Sequence, residues 1–146
     1  MNINIIRAKA RLKELFEGKI DMSDFPDDNS NHFETRAIAA LSLMMIAGLE
    51  PNQAALHITD GYHDMGIDAI YLDDTQKELI VVQSKWRNSG SGNISQEEMQ
   101  SFVEGVKRII EYDLDGVNSK IQQKVTHTGA APVRKSYPAV FFHNHV

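Results

Sequence analysis

Three polar residues stand close together in a part of the chain that is otherwise apolar: Asp68 in Gly66-Ile67-Asp68-Ala69-Ile70, then Gln83 and Lys85 in Val81-Val82-Gln83-Ser84-Lys85. Gln83 and Lys85 are two apart on an expected strand, so their side chains project from one face and Ser84 from the other. The polar segment Asp73 to Lys77 predicts a hairpin turn, and a register with Asp68 opposite Gln83 would bring all three together. An aspartate carboxylate and a glutamine carbonyl are hard oxygen ligands suited to magnesium, with the backbone carbonyl of Ser84 as a further ligand. Lys85 beside them would orient an attacking water and offset the charge that develops on phosphorus. That chemistry is metal-assisted hydrolysis of a phosphodiester.

The elements that must position these residues follow from pattern. Ile5, Leu12, Leu15 and Phe16 predict an amphipathic helix ending near Gly18, and the aspartate-rich stretch Asp21 to Ser30 reads as a loop. Asn31 with Glu34 predicts a capping box for a second helix, buried on most sides and stopped by Gly48 and Pro51. Pro51 opens a short helix through about His57. Strands are expected at Ile67 to Tyr71 and Leu79 to Val82, followed by a flexible loop at Arg87 to Asn93. Ser95 and Glu98 predict a capping box for a helix whose buried stripe is Met99, Phe102, Val106, Ile109 and Ile110. A further helix near Val117 to Val125 and a strand at Ala139 to Phe142 complete an α/β order, read as a small mixed sheet flanked by helices.

The 146 residues suffice for one core, so a single domain over 1–146 is expected. Apolar residues are 42% and charged residues 24%, an ordinary globular balance. Without cysteine, disulfides and cysteine zinc sites are excluded. No run approaches the roughly 20 apolar residues of a membrane span, which leaves a cytoplasmic protein as the default. The net charge of −5 argues mildly against a polyanionic partner, but its distribution matters more. Residues 20–78 hold two basic and twelve acidic groups, against five and two in residues 1–19 and eight and six in residues 79–146. This is compatible with a carboxylate pocket that collects divalent metal beside a more basic surface.

The segments around Asp68 and Gln83-Ser84-Lys85 resemble the PD-(D/E)xK nuclease superfamily in its glutamine variant, as in Mrr-type restriction enzymes. The wider run from Asp60-Gly61 to Lys85, with the Phe102-Val103-Glu104-Gly105 helix, resembles the N-terminal domain of abortive infection phage resistance (AIPR) proteins. The resemblance covers about residues 30–112 and leaves 113–146 outside it. It implies a restriction endonuclease-like core, magnesium-dependent cleavage of DNA with manganese as a substitute, and a role in bacterial phage defence. It makes Asp68 the metal carboxylate, Gln83 the second ligand and Lys85 the catalytic lysine. AIPR proteins are much longer, which implies a fragment or a truncated relative.

Ile67 replaces the motif's proline, and Gln83 replaces an acidic ligand, so another carboxylate is needed. Glu34 is the superfamily's usual supplement, although helix capping alone would also select it; Asp64 is a weaker candidate and Asp60 a loop residue. Arg87 and Lys107, with Arg108, are candidate phosphate contacts, their bland reading being a solvated face. Trp86 is expected in the core and Gln100 on a solvated helix face. His143 and His145 could chelate an adventitious transition metal. Cutting both strands of a duplex commonly calls for two active sites, so a homodimer is expected. The neutral Gln83 and the negative net charge also motivate a different class, a non-catalytic DNA-binding or protein-interaction module on the same fold. An RNA nuclease would share the chemistry and differ in substrate.

Overall fold

The computed structural model describes residues 2–27 and 31–126, together with the backbone of 139–145. The chain runs through α1 (Ile3–Phe16), α2 (His32–Ala47), α3 (Pro51–Ala55), β1 (Ala69–Asp73), β2 (Glu78–Lys85), α4 (Gln96–Glu111), α5 (Ser119–Thr126) and β3 (Ala139–His145). β2 is central: β1 pairs with it antiparallel and β3 parallel, so the sheet is mixed.

Alternation along β2 assigns its two faces. Ile80, Val82 and Trp86 join Ala69 of β1 in a core shared with α1, α2 and α3, whereas Leu79 and Val81 join Ile67 and Ile70 in a second core with α4 and α5. Helices therefore cover both faces at the middle of the β1–β2 hairpin, where Ala69 and Ile70 and the run Leu79 to Val82 are buried, and polar residues are confined to the strand ends. No helix among the described residues is long and apolar enough to cross a membrane.

The β1–β2 register pairs Ala69 with Val82 and Asp73 with Glu78. Its extension by one residue sets Asp68 opposite Gln83, as the hairpin reading required, and the Asp68 N–H donates to the Val82 carbonyl at 2.8 Å. The turn is organised by Asp73, whose Oδ1 accepts from the N–H groups of Thr75 and Gln76. On the other edge of β1, Ile58 forms an isolated bridge to Ala69, and the N–H groups of Thr59 and Asp60 both donate to the Asp68 carbonyl. The segment before the loop is thus tied to the strand after it.

Two helix-start expectations diverge. Ser95 and Glu98 form the expected reciprocal capping box on α4. Asn31 does not cap α2: it sits in the left-handed region, φ 63°, and its side chain makes no cap bond. Its Oδ1 instead accepts from Asn88 and Lys9, so tertiary contacts have taken the atom that capping needed. Of the expected α4 stripe, Phe102, Val106 and Ile109 are buried, joined by Gly105. Met99 and Ile110 flank the contact and stay exposed.

Candidate metal centre

Asp68, Gln83, Ser84 and Lys85 line one cavity of about 480 Å³, together with Asp60, Asp64, Gly66, Trp86, Thr35, Glu98 and neighbours. Asp68 enters it from the start of the hairpin with 6% of its surface exposed. Its Oδ2 accepts from the Ser84 N–H and lies 3.3 Å from the Ser84 hydroxyl oxygen. That hydroxyl donates its proton to the Thr35 carbonyl of α2 at 2.8 Å, so Ser84 fastens strand, carboxylate and helix at one point.

Asp60, Asp64 and Asp68 converge here, each offering a carboxylate oxygen within 4.8 Å of the others. Such a span compares with roughly 4.2 Å across a magnesium coordination sphere and roughly 4.6–5.2 Å across a calcium one. Burial pushes the Asp68 carboxyl well above the ordinary aspartate range, and the charges of Asp60 and Asp64 add to this against the opposing hydrogen bond from Ser84. Burial raises Asp64 too, opposed by the N–H groups of Gly61 and Gly66, which donate to its two oxygens at 3.1 and 2.8 Å.

Gln83 faces this group with its Oε1 buried and without a hydrogen-bond partner, while its Nε2 donates to the Glu98 carbonyl at 3.4 Å. An unpaired buried acceptor is costly, and because Gln83 lines the same cavity as the three carboxylates its Oε1 is available there as a neutral oxygen ligand. Gly66 makes the approach of that amide possible, since a Cβ there would lie 2.9 Å from Gln83 Nε2 and its φ of +72° disfavours other residues.

Lys85, half exposed at the rim, pairs with Glu98 at 3.0 Å. Glu98 accepts from the Ser95 N–H through its other oxygen, so the capping box also anchors the lysine. The capping bond and Lys85 hold the Glu98 carboxyl down at about 2.

Glu34 does not join the site: it pairs with Lys9 at 2.9 Å and is not among the residues lining the cavity. The carboxylates that do join Asp68 are Asp60 and Asp64, both from the segment between α3 and β1. Arg87 turns to its own loop, donating to the Asn93 carbonyl, and Lys107 is exposed on α4; neither lines the cavity. Arg108 binds Asp113 and the Asp115 carbonyl, Gln100 is exposed, and Trp86 is buried against the first core. The side chains of His143 and His145 lie outside the described residues.

Sequence reasoning missed Arg36. Completely buried on α2, its guanidinium meets Asp24 through two bonds of 2.7 Å and Asp60 Oδ2 through Nε at 2.7 Å, and it also donates to the carbonyls of Asp21 and Asp60. Asp60 thus reaches the cluster with one oxygen already neutralised. The signal was present: within the twelve-acid stretch of residues 20–78 the only basic residues are Arg36 and Lys77, and Arg36 stands against Ala37-Ile38-Ala39-Ala40 in a buried helix.

No family model, curated protein or solved structure matches this chain.

Proposed function

We propose that the protein is a divalent-metal-dependent nuclease domain with a restriction endonuclease-like core, which hydrolyses DNA phosphodiester bonds at the Asp68 cavity. The observation that carries this reading is the buried, unpartnered Gln83 Oε1 beside Asp64 and Asp68, with a lysine two residues along the same strand face. The donor set is all oxygen, which fits magnesium or manganese rather than a soft metal. Asp68, Asp64 and Gln83 would hold the cation, and Asp60, committed through one oxygen to Arg36, adds field rather than a full ligand charge. When bound, the cation supplies Lewis-acid polarisation of the phosphoryl group and a hydroxide nucleophile at neutral pH.

The chain's own residues do the rest. Asp64 and Asp68 would hold the cation at the cavity where the reacting phosphate binds. Ser84 keeps Asp68 from rotating. Lys85, steered over the cavity by Glu98, stabilises the negative charge that grows on the phosphoryl oxygens and is worth most in the transition state. Nicking of plasmid DNA by the purified chain in manganese or magnesium tests this. Lys85→Ala should slow nicking by about 100- to 1000-fold with manganese affinity retained, and Asp68→Asn should lose both. Cleavage that survives both substitutions unchanged would remove the site assignment.

Placement in phage defence, a cytoplasmic location and a homodimer that cuts both strands belong to the same proposal, on the AIPR-like residues Asp60 to Lys85. The non-catalytic alternative predicts that manganese does not bind at Gln83, and titration calorimetry separates the two.

A further inference from the structure

A cluster of aromatic rings borders the metal cavity, sharing His32 with it. Phe25 comes from the acidic loop after α1, His32 opens α2, and Tyr62 lies between Asp60 and Asp64. Phe25 and His32 are stacked, with centroids 3.6 Å apart and planes inclined by 8°, and Tyr62 lies 6.2 Å from Phe25 at 36°. With Asp60 and Gly61 these rings line a second cavity of about 230 Å³. His32 and Asp60 line both cavities, so the two share a wall. Tyr62 is 77% exposed, and burial in the core therefore does not account for an aromatic residue at this point.

We propose that this cleft receives an unpaired nucleobase of the substrate strand, next to the phosphate held at the metal centre. The inference rests on the phosphodiesterase reading for that neighbouring phosphate and deepens it by naming the substrate class: single-stranded DNA, or a strand with a base out of its stack. The chemistry of the cleft selects the occupant. Aromatic faces stack on any base, whatever the sequence. Asp24 and Asp60 flank the cleft, Arg36 is already committed to both and Lys120 to Asp24, so the cations at the wall are spent on carboxylates and a neutral heterocycle fits better than a phosphate. Asp60 also offers a carboxylate acceptor at the wall, matching the exocyclic amino groups of bases.

The spacing is nearly sufficient. A ring between two rings needs about 7 Å from centroid to centroid, against the 6.2 Å between Phe25 and Tyr62. The rings are also inclined by 36°, so the exposed Tyr62 must turn toward parallel as well as move outward by about 1 Å, with the Arg36 guanidinium 5.1 Å from the Phe25 centroid as the neighbouring contact. A base within a duplex has both faces covered by its neighbours and cannot enter.

The test uses the full chain in a chelating buffer, titrated into a short single strand carrying 2-aminopurine and into a blunt hairpin of the same sequence. Wild type should bind the single strand and quench the 2-aminopurine emission. Tyr62→Ala should bind it about 5- to 150-fold more weakly, Tyr62→Phe should restore the affinity, and hairpin binding should be indifferent to all three. Equal affinity of wild type and Tyr62→Ala for the single strand, equal dependence on Tyr62 for the hairpin, or no single-strand binding would overturn the proposal. Manganese added to the same samples keeps the two readings apart. Tyr62-dependent binding without cleavage would refute hydrolysis and support the cleft, whereas cleavage with Tyr62-independent binding would refute the cleft alone.

Discussion

Replacing Arg36 by methionine keeps most of the side-chain volume and removes the charge, which isolates what the guanidinium does. It leaves Asp60, 14% exposed, and Asp24, 31% exposed, without their partner. Removing one member of a buried ion pair costs about 3–5 kcal/mol, because the remaining charge stays buried. Lys120, 3.4 Å from Asp24 Oδ2, takes up part of that loss, so the lower end of about 3 kcal/mol is expected. For a chain of this size that is a fall of roughly 6–12 °C in Tm. The pH dependence is a second check. Arg36 is the chief cause that holds the Asp24 carboxyl far below its ordinary value of 3.8. A depressed folded-state carboxyl stabilises above its unfolded pKa, and that stability drains away as pH falls through the folded one. The gap between wild type and Arg36→Met in urea denaturation should therefore be full at pH 7 and shrink as pH falls below 3.8. A loss under about 1 kcal/mol at pH 7, the value of a surface pair, would refute the clamp.

Three further outcomes are expected. Asp68→Asn should make the metal-free protein more stable at pH 8: a carboxyl raised by burial stabilises the fold only below its unfolded pKa of 3.8 and loses that contribution as pH rises through the folded value. A variant less stable than wild type at pH 8 would contradict this. Gln83→Glu should tighten manganese binding about tenfold by adding a charge beside the cation. It should weaken the metal-free fold, because an oxygen would replace the Nε2 that donates to the Glu98 carbonyl; calorimetry and thermal unfolding read the two effects. Gly105→Ala would set a Cβ 2.7 Å from Met65 Cβ and 2.8 Å from the Met65 carbonyl. The clash, about 1–3 kcal/mol, should outweigh the gain of up to about 1 kcal/mol from better helix propensity. A higher urea midpoint than wild type would show that α4 does not press on the Asp64 loop as described.

Much of the site was legible because it depends on short-range regularities. Two-residue periodicity put Gln83 and Lys85 on one face, and the turn at Asp73 fixed the register opposite Asp68. Ser95 and Glu98 were read correctly as a capping box, since capping is a matter of four consecutive residues. The capping reading of Asn31 went wrong for the opposite reason: Asn88 and Lys9, distant in sequence, compete for its side chain. Glu34 as a metal supplement went wrong in the same way, its carboxylate being taken by Lys9 of α1.

The sequence by itself determined the α/β order, the hairpin and the three residues at its open end, because spacing along a strand dictates which side chains share a face. Only the tertiary structure decided which further carboxylates meet them. Asp60 and Asp64 reach Asp68 because the Thr59 and Asp60 N–H groups bind the Asp68 carbonyl and the Gly61 and Gly66 N–H groups hold the Asp64 carboxylate within its loop. Arg36, from a different helix, sets the charge that Asp60 brings. These are contacts between segments that no local periodicity relates, made where burial leaves each charge dependent on the partner the fold supplies.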